Sequence, residues 1–299
     1  MTSSVAFIPV PELANAPAPA PLPADFTSAT AQVNGIRLHY VLGGTGEPLV
    51  LLHGWPQTWY EWQRLMVSLS TQYTVIVPDL RGFGASEKPA TGYDTRTLAE
   101  DIHALVRHLK LTRVRLVGHD IGLMVAYAYA AAYPADVHKL VILDAPIPGI
   151  EPVWSQVKAS RWHFGFNATP HLAEHLLAGR ERYYLEYMYA ASASNKTAFT
   201  AAEVDEFVRA YAAPGAMGAS LQVYKAFDTS AAQNQVSAQT KLPMPVLALG
   251  GDQSFGPRIV AMAELVATDV RGGSIPNCGH WVAEENPDYL LAQLQVFLR

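Results

Sequence analysis

At 299 residues, half of them hydrophobic and 16% charged, the chain can bury one large α/β domain or a core with an inserted lid, and it is not disordered. Its formal net charge of −5 argues against nucleic acid, which needs a basic face, and no Lys/Arg-rich amphipathic helix offers itself to anionic lipid. No apolar run approaches the length of an integral membrane segment.

Residues 1–25 form a Pro/Ala-rich N-terminal arm without Lys or Arg, carrying Pro9, Pro11, Pro17, Pro19, Pro21 and Pro23. Pro9 breaks the apolar run from Val5 to Val10, which leaves a poor secretory signal. Cytoplasmic residence is therefore the expectation, with periplasm or secretion as the alternative. The composition suits a semi-rigid extended arm, either a mobile tail or a strap over a neighbouring subunit.

Asn34-Gly35, between Ala29–Val33 and Ile36–Leu42, is a strong hairpin signal. Pro48–Leu52 is a continuous apolar run ending at His53-Gly54, as expected of a buried parallel strand. Thr58–Leu69 has helical spacing, with Trp59, Trp62, Leu65, Met66 and Leu69 on one stripe. Thr74–Pro78 is the next strand, followed by a Gly-rich loop from Asp79 to Ser86. An amphipathic helix is predicted over Thr97–Leu111, then a strand over Arg113–Val117, a helix over Leu123–Tyr133 and a strand over Lys139–Leu143. This alternation predicts an α/β fold with a mostly parallel central sheet flanked by helices.

Between 149 and 241 no buried strand stands out. Helical patterns at His171–Ala178, Arg180–Ala191, Ala202–Tyr211 and Ala219–Phe227 predict an inserted helical cap over the carboxyl edge of the sheet. Sheet character returns at Met244–Leu249 and Val270–Ile275, and Asn286–Leu298 is the closing helix. The expected organisation is an arm over 1–25, core over 26–148, cap over 149–241 and core again over 242–299.

Gly118-His119-Asp120-Ile121-Gly122 falls between a strand and a helix, where a sharp turn can present a nucleophile. A serine there attacks acyl carbonyls. A carboxylate instead displaces a leaving group from an sp³ carbon and leaves an alkyl-enzyme ester. Alone, the Gly-His-Asp triplet also fits a chance occurrence in a Gly-rich loop. The single Cys278 forms no intramolecular disulfide, and the ten histidines lack His-Glu-x-x-His spacing, so neither a metal nor another cofactor is expected.

His53-Gly54-Trp55-Pro56, Asp79-x-Arg81-Gly82-x-Gly84-x-Ser86, Gly118-His119-Asp120-x-Gly122 and Gly279-His280-Trp281 occur in one order that resembles the α/β-hydrolase epoxide hydrolases. Ala145-Pro146-Ile147-Pro148, Trp162-His163-Phe164 and the stretch from Glu181 to Glu186 resemble the bacterial Cif-like subgroup. The resemblance implies a small-molecule epoxide substrate, Asp120 as nucleophile and His280 as the base that activates water against the ester. It implies backbone N–H donors at Trp55 and Ile121 for the oxyanion. It also implies a homo-oligomer, a dimer or larger.

In the family pattern the acid that orients the base follows the strand Met244–Leu249, but that position holds Ser254. Asp252 matches an earlier, generally non-catalytic acid. Asp144, at the end of the strand after the elbow, is the location used by the Cif-like group and is preferred over Asp252. For ring opening the resemblance implies His163 and Tyr224 as donors. Without it, a lid His is ordinarily a surface residue and a lid Tyr ordinarily packing. Tyr183, Tyr184, Tyr187 and Tyr189 are assigned to lid core or tunnel lining, and Trp154, Phe164, Phe166 and Met188 to core packing before channel lining.

A haloalkane or haloacid dehalogenase is the rival function, with the same Asp nucleophile and His base. Ile121 stands where a halide-binding Trp is typical of haloalkane dehalogenases. Ile121 and Met124 stand where a fluoroacetate dehalogenase would place arginines. A non-catalytic scaffold of the same fold is the third possibility, and such scaffolds usually lose triad members.

Overall fold

The computed structural model describes residues 19–299; the expected arm lies mostly outside the described residues. Eight strands build one sheet: β1 (Phe26–Val33), β2 (Ile36–Gly43), β3 (Glu47–Leu52), β4 (Tyr73–Pro78), β5 (Val114–His119), β6 (Val137–Leu143), β7 (Val246–Gly251) and β8 (Val270–Ile275). Their order is β1-β2-β4-β3-β5-β6-β7-β8. The β1–β2 and β2–β4 pairs are antiparallel, and every pair from β4–β3 to β7–β8 is parallel. The hairpin at Asn34-Gly35 has φ of 45° and 78°, as a tight two-residue turn with right-handed strand twist demands.

The central strands β3, β5, β6 and β7 carry buried apolar runs, Leu49–Leu52, Leu116-Val117, Leu140–Leu143 and Val246–Leu249, because helices cover both faces. One face packs the helices Thr95–His108, Ile121–Ala132 and Arg258–Val266. The other packs Gln63–Ser70 and Pro287–Leu298. Two helix starts differ from expectation through local capping. Asp94 accepts the Thr97 N–H at 3.2 Å and starts its helix at Thr95. The stretch expected as one helix from Thr58 divides into a tight turn, Trp59–Trp62, and the helix Gln63–Ser70. There the Thr58 hydroxyl accepts the Tyr60 N–H and Asp79 accepts the Trp59 N–H.

From 149 to 241 the chain is helical, with no strand. Besides the expected helices it contains Val153–Ser160, Trp162–Ala168 and Phe227–Ser237. The last buries Phe227, Ser230, Ala231 and Asn234, so its inward face has helical period but small and polar residues that hide the pattern. These helices lie over the carboxyl ends of the strands. Tyr189 and Tyr211 donate their phenols to the carbonyls of Pro56 and Gln57 after β3, at 2.8 and 3.0 Å. His280 donates its backbone N–H to the Ser192 carbonyl at 3.0 Å, after β8.

Candidate active site

Strand β5 ends at His119, and the next residue turns abruptly into the helix Ile121–Ala132. Asp120, at the turn, has φ 48° and ψ −118°, a conformation costly for a residue with a Cβ. The turn closes only because its flanks are glycine. A Cβ on Gly118 would sit 2.2 Å from the Gly122 carbonyl oxygen, and one on Gly122 2.1 Å from that of Leu52. Asp120 is thereby raised above the sheet at the positive end of a helix, where an anion is favoured. Its Oδ2 accepts the Trp55 backbone N–H at 2.9 Å.

His280 follows β8, and its Nε2 lies 3.9 Å from Asp120 Oδ1. Its Nδ1 lies 2.8 Å from Asp144 Oδ2. Asp144 is buried at the end of β6, and three further donors converge on it: the Ser254 hydroxyl at 2.7 Å and the backbone N–H groups of Gly251 and Phe255 at 2.8 and 3.2 Å. Asp252 points elsewhere. It caps the next loop by accepting the N–H groups of Asn277 and Cys278, both at 3.0 Å, and those bonds hold its carboxyl below the usual range. Of the two acids, only Asp144 reaches the imidazole.

The cavity above Asp120 is lined by His280, Trp55, Phe255 and Trp281 from the sheet loops, and by Arg161, His163, Phe164, Met188 and Tyr224 from the helices. His163 and Trp55 stack at 6.4 Å, and Tyr224 stands edge-on to both, at 6.0 and 5.4 Å. Burial pushes the His163 imidazole down to about 4, so it is neutral at ordinary pH. Burial, with the Asp120 charge nearby, pushes the Tyr224 phenol well above its usual value. Both therefore keep a proton to donate. Ile121 is buried beside Asp120 and is not among the cavity-lining side chains; what it can offer is a backbone N–H in the first helical turn. Phe164 and Met188 line the cavity, whereas Trp154 packs on Phe227 and Phe166 on Tyr184. Tyr183 and Tyr187 are exposed.

His53 is structural. Its Nε2 accepts the Leu80 N–H, its Nδ1 pairs with the Gly54 carbonyl, and burial lowers its pKa. Sequence reasoning missed the hydroxyl of Ser254 on Asp144, Asn167 beneath Tyr184 and Tyr224, and the buried pair His119–Glu61 behind the elbow. Ser254 left a trace, since it occupies the position where the family pattern has its acid. Asn167 left none: its oxygen accepts the Tyr184 phenol at 2.7 Å and its amide faces Tyr224, a pairing across two helices.

Residues 47–287 match the alpha/beta hydrolase fold family. The chain is 39% identical over 277 residues to a soluble epoxide hydrolase of a Corynebacterium species, covering 89% of this chain and 95% of that one. It is 29% identical to a fluoroacetate dehalogenase of a Burkholderia species, covering 91% and 94% of the two chains. The crystal structure of Cfl2 from Burkholderia cenocepacia superimposes with a TM-score of 0.86 at 40% identity, covering 92% of this chain and 96% of that one.

Proposed function

Because this chain belongs to the α/β-hydrolase family, in its epoxide-hydrolase branch, we propose that it converts an epoxide to a vicinal diol through an ester on Asp120. The carboxylate attacks one ring carbon while His163 and Tyr224 donate hydrogen bonds to the ring oxygen, and a proton from this pair completes the hydroxyl. His280 Nε2, 3.9 Å from Asp120, then takes a proton from a water that attacks the ester carbonyl. Asp144 holds Nδ1 in the tautomer that leaves Nε2 free to accept. The oxyanion forms on the Asp120 carboxyl, where the Trp55 N–H already points and the Ile121 N–H is the second donor. Residues 149–241 act as the cap that supplies the ring-opening donors.

The observation that carries this reading is the pairing of two neutral, protonated side chains, His163 and Tyr224, across the cavity from a carboxylate on the elbow. The rival dehalogenase reading draws on the similarity to the fluoroacetate dehalogenase and on Arg161, the one guanidinium in the lining among the described residues. Against it, the side chains beside Asp120, Ile121 and Met124, are buried and apolar, leaving no cationic clamp at the elbow. Incubation with a styrene-oxide-type epoxide and with fluoroacetate and a haloalkane decides between them. Diol formation without halide release is expected; halide release without diol overturns the assignment.

A further inference from the structure

Behind the elbow lies an ion pair that the proposed chemistry does not use directly. Glu61 and His119 both have fully buried side chains, with Glu61 Oε1 3.0 Å from His119 Nδ1. At that separation, with both side chains out of solvent, the two groups form a buried ion pair. The other oxygen, Glu61 Oε2, accepts the Gly54 N–H at 2.8 Å, one residue before the Trp55 N–H that points at Asp120. The other nitrogen, His119 Nε2, lies 2.9 Å from the carbonyl oxygen of His280 and donates to it. His119 itself immediately precedes Asp120. One pair of side chains therefore touches the loop carrying the oxyanion donor, the elbow carrying the nucleophile and the loop carrying the base.

We propose that Glu61 and His119 are positioning residues that hold the Trp55 donor and the His280 base in mutual register for ester hydrolysis. The inference rests on the covalent mechanism above. Stability alone gives no reason for such a pair, since burying two charges costs desolvation that their attraction barely offsets, and apolar replacements often serve as well. A fixed geometry does give one. His119 must donate to the His280 carbonyl, and an imidazolium with Nδ1 committed to Glu61 always has Nε2–H to give. Burial pulls the His119 pKa down, but Glu61, Asp120 and Asp144 outweigh it and raise it to about 9. The other groups facing it are the His280 ring, 4.8 Å away, and Trp281. A second buried carboxyl near Glu61, Glu284, accepts the Gln57 amide at 2.5 Å. Burial and the Glu61 charge push its pKa well above its ordinary value.

Both held groups act in the second half-reaction: Trp55 N–H on the oxyanion and His280 on water. The test is rapid-quench kinetics with a chromogenic epoxide, following the Asp120 ester by mass spectrometry and diol by release. In Glu61→Gln and His119→Ala, ester should form at close to the wild-type rate, while its hydrolysis slows by about tenfold to hundredfold, the cost of misplacing a reacting group by a fraction of an ångström. His119→Gln, whose amide can still donate to the His280 carbonyl, should recover part of that loss. If Glu61→Gln does not fold, Glu61→Gln/His119→Gln removes both charges together and carries the same measurement. Hydrolysis within twofold of wild type, or a parallel fall in both half-reactions, overturns the inference while the mechanism stands. Failure of the wild-type enzyme to form any Asp120 ester overturns the mechanism itself, and this inference with it.

Discussion

Asp144→Asn is the sharpest probe of the proposed mechanism, because the structure dictates where the new amide must go. Oδ1 of Asp144 receives two backbone N–H groups, from Gly251 and Phe255, at 2.8 and 3.2 Å. Neither can turn away, so an amide nitrogen placed there would face two fixed donors. The side-chain oxygen therefore keeps that position and the NH2 takes the place of Oδ2, facing Ser254 and His280. The Ser254 hydroxyl can rotate to accept. The imidazole can accept only by moving its proton from Nδ1 to Nε2, which disables the nitrogen that must take a proton from water. Loss of the working tautomer at an acid of this kind costs about 10⁴ in turnover, roughly 5 kcal/mol of barrier. Ring opening by Asp120 does not need that base, so the ester should form in a burst of about one per active site and persist. Quench-flow with mass spectrometry reads both. A variant that hydrolyses its ester within tenfold of wild type, or an equal loss in Asp252→Asn, would refute the assignment, since the Asp252 carboxyl is turned to the Asn277 and Cys278 backbone N–H groups and away from His280.

Asp120→Ser should form no ester and no diol, measured with the same chromogenic substrate. Tyr224→Phe removes one of two donors to the ring oxygen and should slow alkylation by about 10²-fold, leaving hydrolysis of preformed ester near wild type; slowing of hydrolysis alone would count against its role. With His163 depressed to about 4, it should not titrate in the alkylation rate between about pH 5 and 8. Its sign in stability follows. Folded His163 binds its proton less readily than unfolded His, so stability falls as pH drops from about 6.5 towards 4, by up to about 3 kcal/mol. His163→Phe should flatten that part of a Tm–pH profile. His119, raised to about 9, works in the opposite sense: its contribution is fully present below about pH 6.5 and is lost as pH rises through 9.

What the sequence disclosed follows how local each feature is. The elbow, the Asn34-Gly35 hairpin and β3 are read from adjacent residues, because strained turns demand glycine and buried parallel strands demand apolar runs. Asp144 required knowing that β6 and β8 would bring residues 144 and 280 to one place, 136 positions apart. Only the resemblance favoured it, and the 2.8 Å contact now gives it a geometric reason. In sequence Ser254 reads as a missing acid, whereas in the structure it donates to Asp144, the acid that reaches His280 instead. The pair Glu61–His119 was invisible because Glu61 sits in a segment with the pattern of an ordinary amphipathic helix. Nothing in a one-dimensional pattern says that an acid on its buried side meets the histidine of the elbow. The helix Phe227–Ser237 escaped for a related reason: beside Phe227, the small and polar Ser230, Ala231 and Asn234 fill its inward face.

The division of labour between sheet and helices also explains why leaving-group choice was the hardest property to read. In the proposed reaction the carboxylate, base, acid and backbone donor all sit at carboxyl ends of β3, β5, β6 and β8, and they would serve an epoxide or an organohalide alike. The difference lies in what the departing atom needs. A halide leaves as a stable anion and asks only for dipoles. An epoxide oxygen stays attached, becomes an alkoxide and needs a proton from a neutral donor. In the proposed reaction His163 and Tyr224 are such donors, because burial among Trp55, Phe164 and each other keeps one uncharged and the other protonated. The same aromatic packing that makes these helices look like unremarkable lid core thus sets the proton inventory of the first step, and a cationic substitution there, such as Phe164→Arg, should shift the cavity towards anion binding before it improves any epoxide.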